Sequence, residues 1–272
     1  MTPDRDQEKF AYLIDALRPC LDRLVIIGGW AHRLHRNHPL AQALPYAPLM
    51  TRDADVALSA TGPFPEQNLR ERLLAYGFHE KFLGDDRPPV THYYLREDDL
   101  GFYVEFVTPL FGGEVKRDKR RDVTTTLAGI TAQKLRYLDV LLIEPWLVPI
   151  GVADRSQSLP RVKIANPVAY IAQKLLVCDK RKPHERAKDV LYMHDTLELF
   201  GGSMPELHRV WVESVGPQLD PRTNAKVLQA RRRLFAEVTD TIRDATLMAT
   251  GRALSPEGLL EACQAGTDRV FG

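Results

Sequence analysis

Long uninterrupted apolar runs are missing from this chain. None approaches the roughly 18 residues that a membrane span requires, so no membrane helix is expected. Cysteine is scarce: Cys20, Cys178 and Cys263 are odd in number, far apart and without metal-ligand spacing. That excludes a disulfide scaffold or a cysteine zinc cluster and leaves three buried thiols as the expectation. Neither sign of charge dominates, with 37 Lys and Arg against 36 Asp and Glu, so the chain is not a nucleic-acid coat or a charged disordered tail, and any polyanion site must be local. Internal repeats and low-complexity tracts are absent, which argues against a solenoid. Residues 1–8 lack a basic segment leading into an apolar one, so no secretory signal is read there and a cytoplasmic location is expected.

What the chain does hold is an ordinary apolar fraction of 44% over 272 residues, enough for two packed parts at roughly 100 to 200 residues per domain. The character changes at Asp154-Arg155-Ser156-Gln157-Ser158. The domains expected are therefore residues 1–155 and 156–272.

The most informative stretch runs from Leu24 to Leu58. Leu24-Val25-Ile26-Ile27 reads as a buried strand, Gly28-Gly29 as a turn that opens a helix, and Asp53-Ala54-Asp55-Val56-Ala57-Leu58 as a second strand. Two glycines let the main chain turn tightly and approach a ligand, and free N–H groups at a helix start attract anions. Residues two apart on a strand share a face, so Asp53 and Asp55 project together while Ala54, Val56 and Leu58 enter a core. A divalent cation relieves the repulsion between two such carboxylates. The plain alternative is an ordinary turn beside a solvated strand.

Other segments follow the same logic. Phe10, Leu13, Ile14 and Leu17 recur at helical spacing. His32, His35 and His38 lack the spacing of helical metal ligands, so a solvated or phosphate-facing helix is expected there, with Arg33 as the better ligand contact. Leu69, Leu73 and Leu74 form a helix face closed by Gly77. Strands are expected over Phe78 to Leu83, His92 to Leu95 and Phe102 to Val107, the last presenting Glu105 opposite its apolar face as a third metal ligand, a general base or a cross-strand partner. Lys116 to Asp122 carries five cations among seven residues, a phosphate guide or a solvated loop. Thr131 to Leu142 reads as a short helix running into a strand, Val140 to Val148 fits either, and this apolar run with Pro145 and Pro149 reads as an edge strand or pocket wall. From Asn166-Pro167 onward the pattern is helical, with Lys174 in an apolar stripe, either snorkelling outward or reaching a phosphate. Arg231, Arg232 and Arg233 read as a solvated helix face.

Gly28-Gly29-x-x-x-Arg33, then Asp53-x-Asp55, Glu105, and Lys174 with Lys188-Asp189 resemble the nucleotidyltransferase superfamily of the DNA polymerase beta type, and within it the AbiEii-like toxin nucleotidyltransferases. The resemblance covers about Leu24 to Leu199 and implies an α+β fold: a small mixed, mostly antiparallel sheet flanked by helices, followed by a helical C-terminal domain. It assigns Gly28, Gly29, Arg33 and Lys174 to the nucleotide, Asp53, Asp55 and Glu105 to Mg²⁺ or Mn²⁺, and Lys174 and Asp189 to completion of the site. The implied reaction transfers a nucleoside monophosphate from an NTP to a hydroxyl of a tRNA 3′ end, a protein or a small molecule, in a toxin with an antitoxin partner. Gly29 stands where the family usually has serine, and the interval to Asp53 is long. A second reading is therefore a catalytically weak or inactive chain of the same fold that binds a nucleotide or a protein.

Overall fold

A computed structural model describes residues 5–58, 68–83, 90–95, 101–113, 123–150 and 160–272. The basic stretch Lys116 to Asp122 and the boundary at Asp154 to Ser158 lie outside the described residues. The chain divides into two compact units, Met1–Leu34 with Met50–Ala165, and His35–Leu49 with Asn166–Gly272.

The first unit is α+β. It starts with helix α1 (Arg5–Leu17), whose face of Phe10, Leu13, Ile14 and Leu17 is buried as the helical spacing requires. Strand β1 (Leu24–Ile26) leads through Gly28 into helix α2 (Gly28–Leu34), and β2 (Asp53–Leu58) follows. Next come α3 (Leu69–Ala75), capped by the Asn68 side chain, then β3 (Phe78–Leu83), β4 (Val90–Leu95) and β5 (Tyr103–Pro109). The hairpin β6 (Thr124–Leu127) and β7 (Ile130–Leu135) follows, with β7 where a short helix was expected to begin at Thr131. Thr124-Thr125-Thr126 and the alternating burial of Ile130 and Ala132 suit a pleated surface better than a helix. Strands β8 (Trp146–Pro149) and β9 (Arg161–Ile164) complete the unit.

Among the described residues these strands form one sheet in the order β3-β4-β5-β2-β1-β9-β8, with β7 on β5 and β6 on β7. Five pairings are antiparallel (β1–β2, β3–β4, β4–β5, β6–β7, β8–β9) and three parallel (β1–β9, β2–β5, β5–β7). The sheet is thus mixed and mostly antiparallel, as expected, with β8 at an edge, where its Pro149 costs no ladder bond. Strand β5 is the hub. It pairs with β2 along one side, and along the other with β4 in its first half and β7 in its second.

One sheet face buries Ala54, Val56, Val104 and Phe106. Trp30 of α2 is buried in the same unit, stacked on Phe10 with ring centroids 3.9 Å apart and edge-on to Phe102. The second apolar cluster joins Val25, Ile27, Ala57, Val107, Leu138, Leu141 and Ala165.

The second unit is helical: α4 (Pro167–Val177), α5 (Pro183–Leu199), α6 (Met204–Val210), α7 (Gly216–Gln218), α8 (Pro221–Leu234), α9 (Asp240–Met248) and α10 (Pro256–Phe271). Asn166 caps α4 by accepting from the Ala169 N–H, with Pro167 in the first turn. The segment between α2 and β2 belongs to this unit, its Gln42 bonded to the end of α5 at Leu199 and Glu198. No helix of the described residues is long and apolar enough to cross a membrane. All three cysteines are buried and free.

Two expectations are corrected. His32 and His35 are buried, not solvated, with His35 packed edge-on to Tyr170 and Phe200. Arg231 is buried and paired with Asp268, because α8 turns that side toward α10. Trp30→Ala removes the ring that joins Phe10 to Phe102 and is expected to cost about 3–5 kcal/mol. Urea denaturation followed by circular dichroism checks this, and an unmoved midpoint would contradict it.

Candidate active site

The backbone brings the diglycine turn directly against the acidic strand. β1 runs antiparallel to β2 with Ile26 opposite Val56, and the Ile27 N–H donates to the Asp55 carbonyl at 3.0 Å. The next residue, Gly28, has φ +60°, the left-handed region that favours glycine. A Cβ on it would overlap the Asp55 Oδ2 and stand 3.0 Å from Cγ. The carboxylate of Asp55 therefore occupies the space that a side chain at 28 would fill.

The register places the third carboxylate beside the second. β2 and β5 are parallel, with Asp53 opposite Tyr103 and Asp55 opposite Glu105. Asp53, Asp55, Tyr103 and Glu105 share one face, each half-buried, while Ala54, Val56, Val104 and Phe106 point the other way. Two residues further along, that polar face becomes apolar with Ala57 and Val107 in the second cluster. The carboxylates stand at the rim of a small core, where charge is screened less than in open water. The Tyr103 hydroxyl registers this environment. Its pKa is raised by burial first, then by Asp53, Glu105 and Asp55.

The three acids differ in their partners. Asp53 accepts from the Thr51 hydroxyl. The Glu105 Oε1 lies 2.7 Å from Nε2 of His92, its cross-strand neighbour on β4. Arg33 lies over the Trp30 ring with Cζ 4.8 Å from its centroid and Nη1 3.9 Å from the Met50 sulfur.

In the helical unit the Lys174 ammonium is 5% exposed and bonds Asp189. It lies 4.7 Å from the Tyr170 ring centroid and 4.8 Å from that of Tyr192, and Arg181 Nε stands 3.3 Å from the other Asp189 oxygen. Burial lowers the Lys174 pKa and Asp189 opposes that shift. The lysine neither snorkels nor stands in solvent, because two tyrosine faces and a carboxylate replace its water. The structure thus groups Gly28, Gly29, Arg33, Asp53, Asp55 and Glu105 in the first unit and Lys174 with Asp189 in the second.

Among the described residues, the group whose potential ligand atoms all lie within 4.8 Å of one another is His194, Asp195 and Glu198, which sequence reading did not single out. Asp53, Asp55 and Glu105 share a face without closing to that degree. The helical triad could ligate a cation, but its acids are already engaged. Arg252 Nη1 lies 2.6 Å from Asp195, His194 Nδ1 lies 3.0 Å from the same oxygen, and the Tyr46 hydroxyl bonds Glu198. A metal there would face a fixed guanidinium. Adjacent i, i+1 and i+4 positions on α5 were a signal in the sequence, whereas Tyr46 and Arg252 were not.

A nucleotidyltransferase family model matches residues 7–215. The chain belongs to this family and is a transferase of that class. No curated protein sequence matches it. Among solved structures, JHP933 of Helicobacter pylori is similar at 10% identity and TM-score 0.47, covering 100% of this chain and 94% of that one. MenT4, a nucleotidyltransferase toxin of Mycobacterium tuberculosis, is similar at 13% identity and TM-score 0.35, covering 97% and 95%.

Gly28→Ala is expected to lose about 1–2 kcal/mol to the left-handed backbone alone, and more from displacement of Asp55. Thermal unfolding measures it, and an unchanged midpoint would refute the close approach. Lys174→Ala is expected to cost about 3–5 kcal/mol by leaving Asp189 buried without its main partner, whereas Lys174→Met with Asp189→Leu is expected to recover most of that loss. Urea midpoints of the single and double variants decide it.

Proposed function

We propose that this chain is a metal-dependent nucleotidyltransferase that moves a nucleoside monophosphate from an NTP to an acceptor hydroxyl. The observation that carries this reading is the Asp55 carboxylate seated against side-chain-free Gly28, with Glu105 as its register partner on the same face. The family match supports the reaction class.

The donor set fits a hard divalent cation: carboxylate oxygens from Asp53, Asp55 and Glu105, with neither thiol nor imidazole required. These three would hold Mg²⁺ or Mn²⁺, which when bound neutralises charge on the phosphates and on the attacking and leaving oxygens. The rest falls to the chain's own groups. The turn at Gly28-Gly29 lets a triphosphate approach the backbone, and Arg33 supplies a cation one turn into α2. By the family resemblance Lys174 contacts the nucleotide, and its ammonium bonds Asp189. Glu105 accepts the proton of the attacking hydroxyl. The acceptor oxygen then bonds the α-phosphorus as the bond to pyrophosphate breaks, so one proton, one nucleotidyl group and one pyrophosphate are accounted for.

The acceptor classes in this reading are a tRNA 3′ end, a protein hydroxyl or a small molecule. The resemblance to AbiEii-like toxins favours RNA and, with it, an antitoxin partner and a cytoplasmic site of action. Incubating the protein with each labelled NTP, Mg²⁺ or Mn²⁺, and either total RNA or the protein itself tests the proposal. Label transfer is expected in the wild type and to fall at least ~100-fold in Asp55→Ala, about 2.7 kcal/mol of transition-state stabilisation. Metal-dependent NTP binding without transfer to any acceptor would instead support a nucleotide-binding module of this fold.

A further inference from the structure

The reading of Glu105 as proton acceptor leaves open what aims its carboxylate. Glutamate has three rotatable side-chain bonds, and on a half-buried strand face nothing in its own backbone selects one direction. The structure supplies a support from the neighbouring strand. His92 sits opposite Glu105 in the antiparallel β4–β5 register, is 8% exposed, and places Nε2 2.7 Å from the Glu105 Oε1. Its other nitrogen, Nδ1, lies 3.1 Å from the Tyr94 hydroxyl, two residues along on the same face. The ring is stacked on Tyr103, centroids 4.3 Å apart and planes within 13°. Packing thus fixes the imidazole plane, and both nitrogens have partners.

In the neutral ring those partners select one tautomer. A carboxylate only accepts, so Nε2 must donate, and in the neutral ring Nδ1 is then the acceptor that takes the Tyr94 O–H. We infer that His92 is a positioning residue for the transfer: it holds the Glu105 Oε1, leaving the other oxygen as the one that meets the acceptor hydroxyl, and Tyr94 fixes the tautomer that does so. This rests on the proposed function of Glu105.

The arrangement differs from an ordinary cross-strand ion pair in what would replace it. A pair that only stabilises the sheet is served by any residue that packs against Tyr103. A positioning donor is served only by a group that delivers an N–H where Nε2 stands. Glutamine presents such an N–H from its side-chain amide, whereas phenylalanine keeps the ring and loses the donor.

The test uses the full-length chain. Nitrogen-15 NMR of the wild type is expected to show His92 as the Nε2–H tautomer, moving toward a mixture in Tyr94→Phe. An Nδ1–H tautomer in the wild type would overturn the assignment whether or not transfer occurs. In the labelled-NTP assay, His92→Phe is expected to lower kcat by about 10- to 100-fold with KM for the NTP unchanged, and His92→Gln to recover most of that loss. A folded His92→Phe with wild-type kcat, or a His92→Gln no better than His92→Phe, would overturn the positioning role while leaving the transferase reading intact, provided Glu105→Ala is inactive. Absence of transfer by the wild type would overturn the transferase reading and with it any part for His92 in the reaction.

Discussion

Asp55 keeps its carboxylate where it is because residue 28 has no side chain. The same position needs a left-handed backbone, so glycine answers two demands at once. Several other features follow from this approach. β1 must pair antiparallel with β2 so that the Ile27 N–H meets the Asp55 carbonyl, and α2 must start immediately after the strand. β5 must then run parallel to β2, which brings Glu105 level with Asp55. A shift of one residue in either pairing would turn the acids into the core and the aliphatic residues outward, because side chains alternate along a strand.

The electrostatics grow out of the same pleat. Asp53 and Asp55 continue on their face as Ala57, and Tyr103 and Glu105 continue as Val107, so a polar half-face merges into an apolar one within a single strand. Charge placed at that rim interacts more strongly with a cation or phosphate than charge on an open surface. Three carboxylates there repel one another unless something answers them. Within the chain, Thr51 answers Asp53 and His92 answers Glu105. The Tyr103 hydroxyl, held protonated by its buried place among the three acids, adds no further negative charge.

Local pattern made much of this legible. Alternation at Asp53 to Leu58 gave the strand and its faces, the glycines gave the turn, and Asn166-Pro167 gave the start of α4. What the sequence hid was decided at long range. The β6–β7 hairpin lacks a strong period of its own and is set by pairing with β5. The burial of His35 depends on partners such as Tyr170 and Phe200, more than 130 residues away in sequence. His92 lay within an expected strand, but its bearing on Glu105 required the β4–β5 register, which no local signal specifies. The packing of the segment between α2 and β2 with the helical unit rests on contacts such as Gln42 with Glu198, which no local signal specifies.

The buried Lys174–Asp189 pair is not explained by packing alone. Taking two charges out of water costs several kcal/mol each, and a well-packed apolar pair of similar size often serves stability equally or better. Tyr170 and Tyr192 already supply the walls of a site that a methionine and a leucine would fill. Folding alone therefore gives weak reason to keep an ammonium there, held by a carboxylate that is itself steadied by Arg181. A cation fixed in direction and stripped of most of its water is suited to meeting an anion without reorganising.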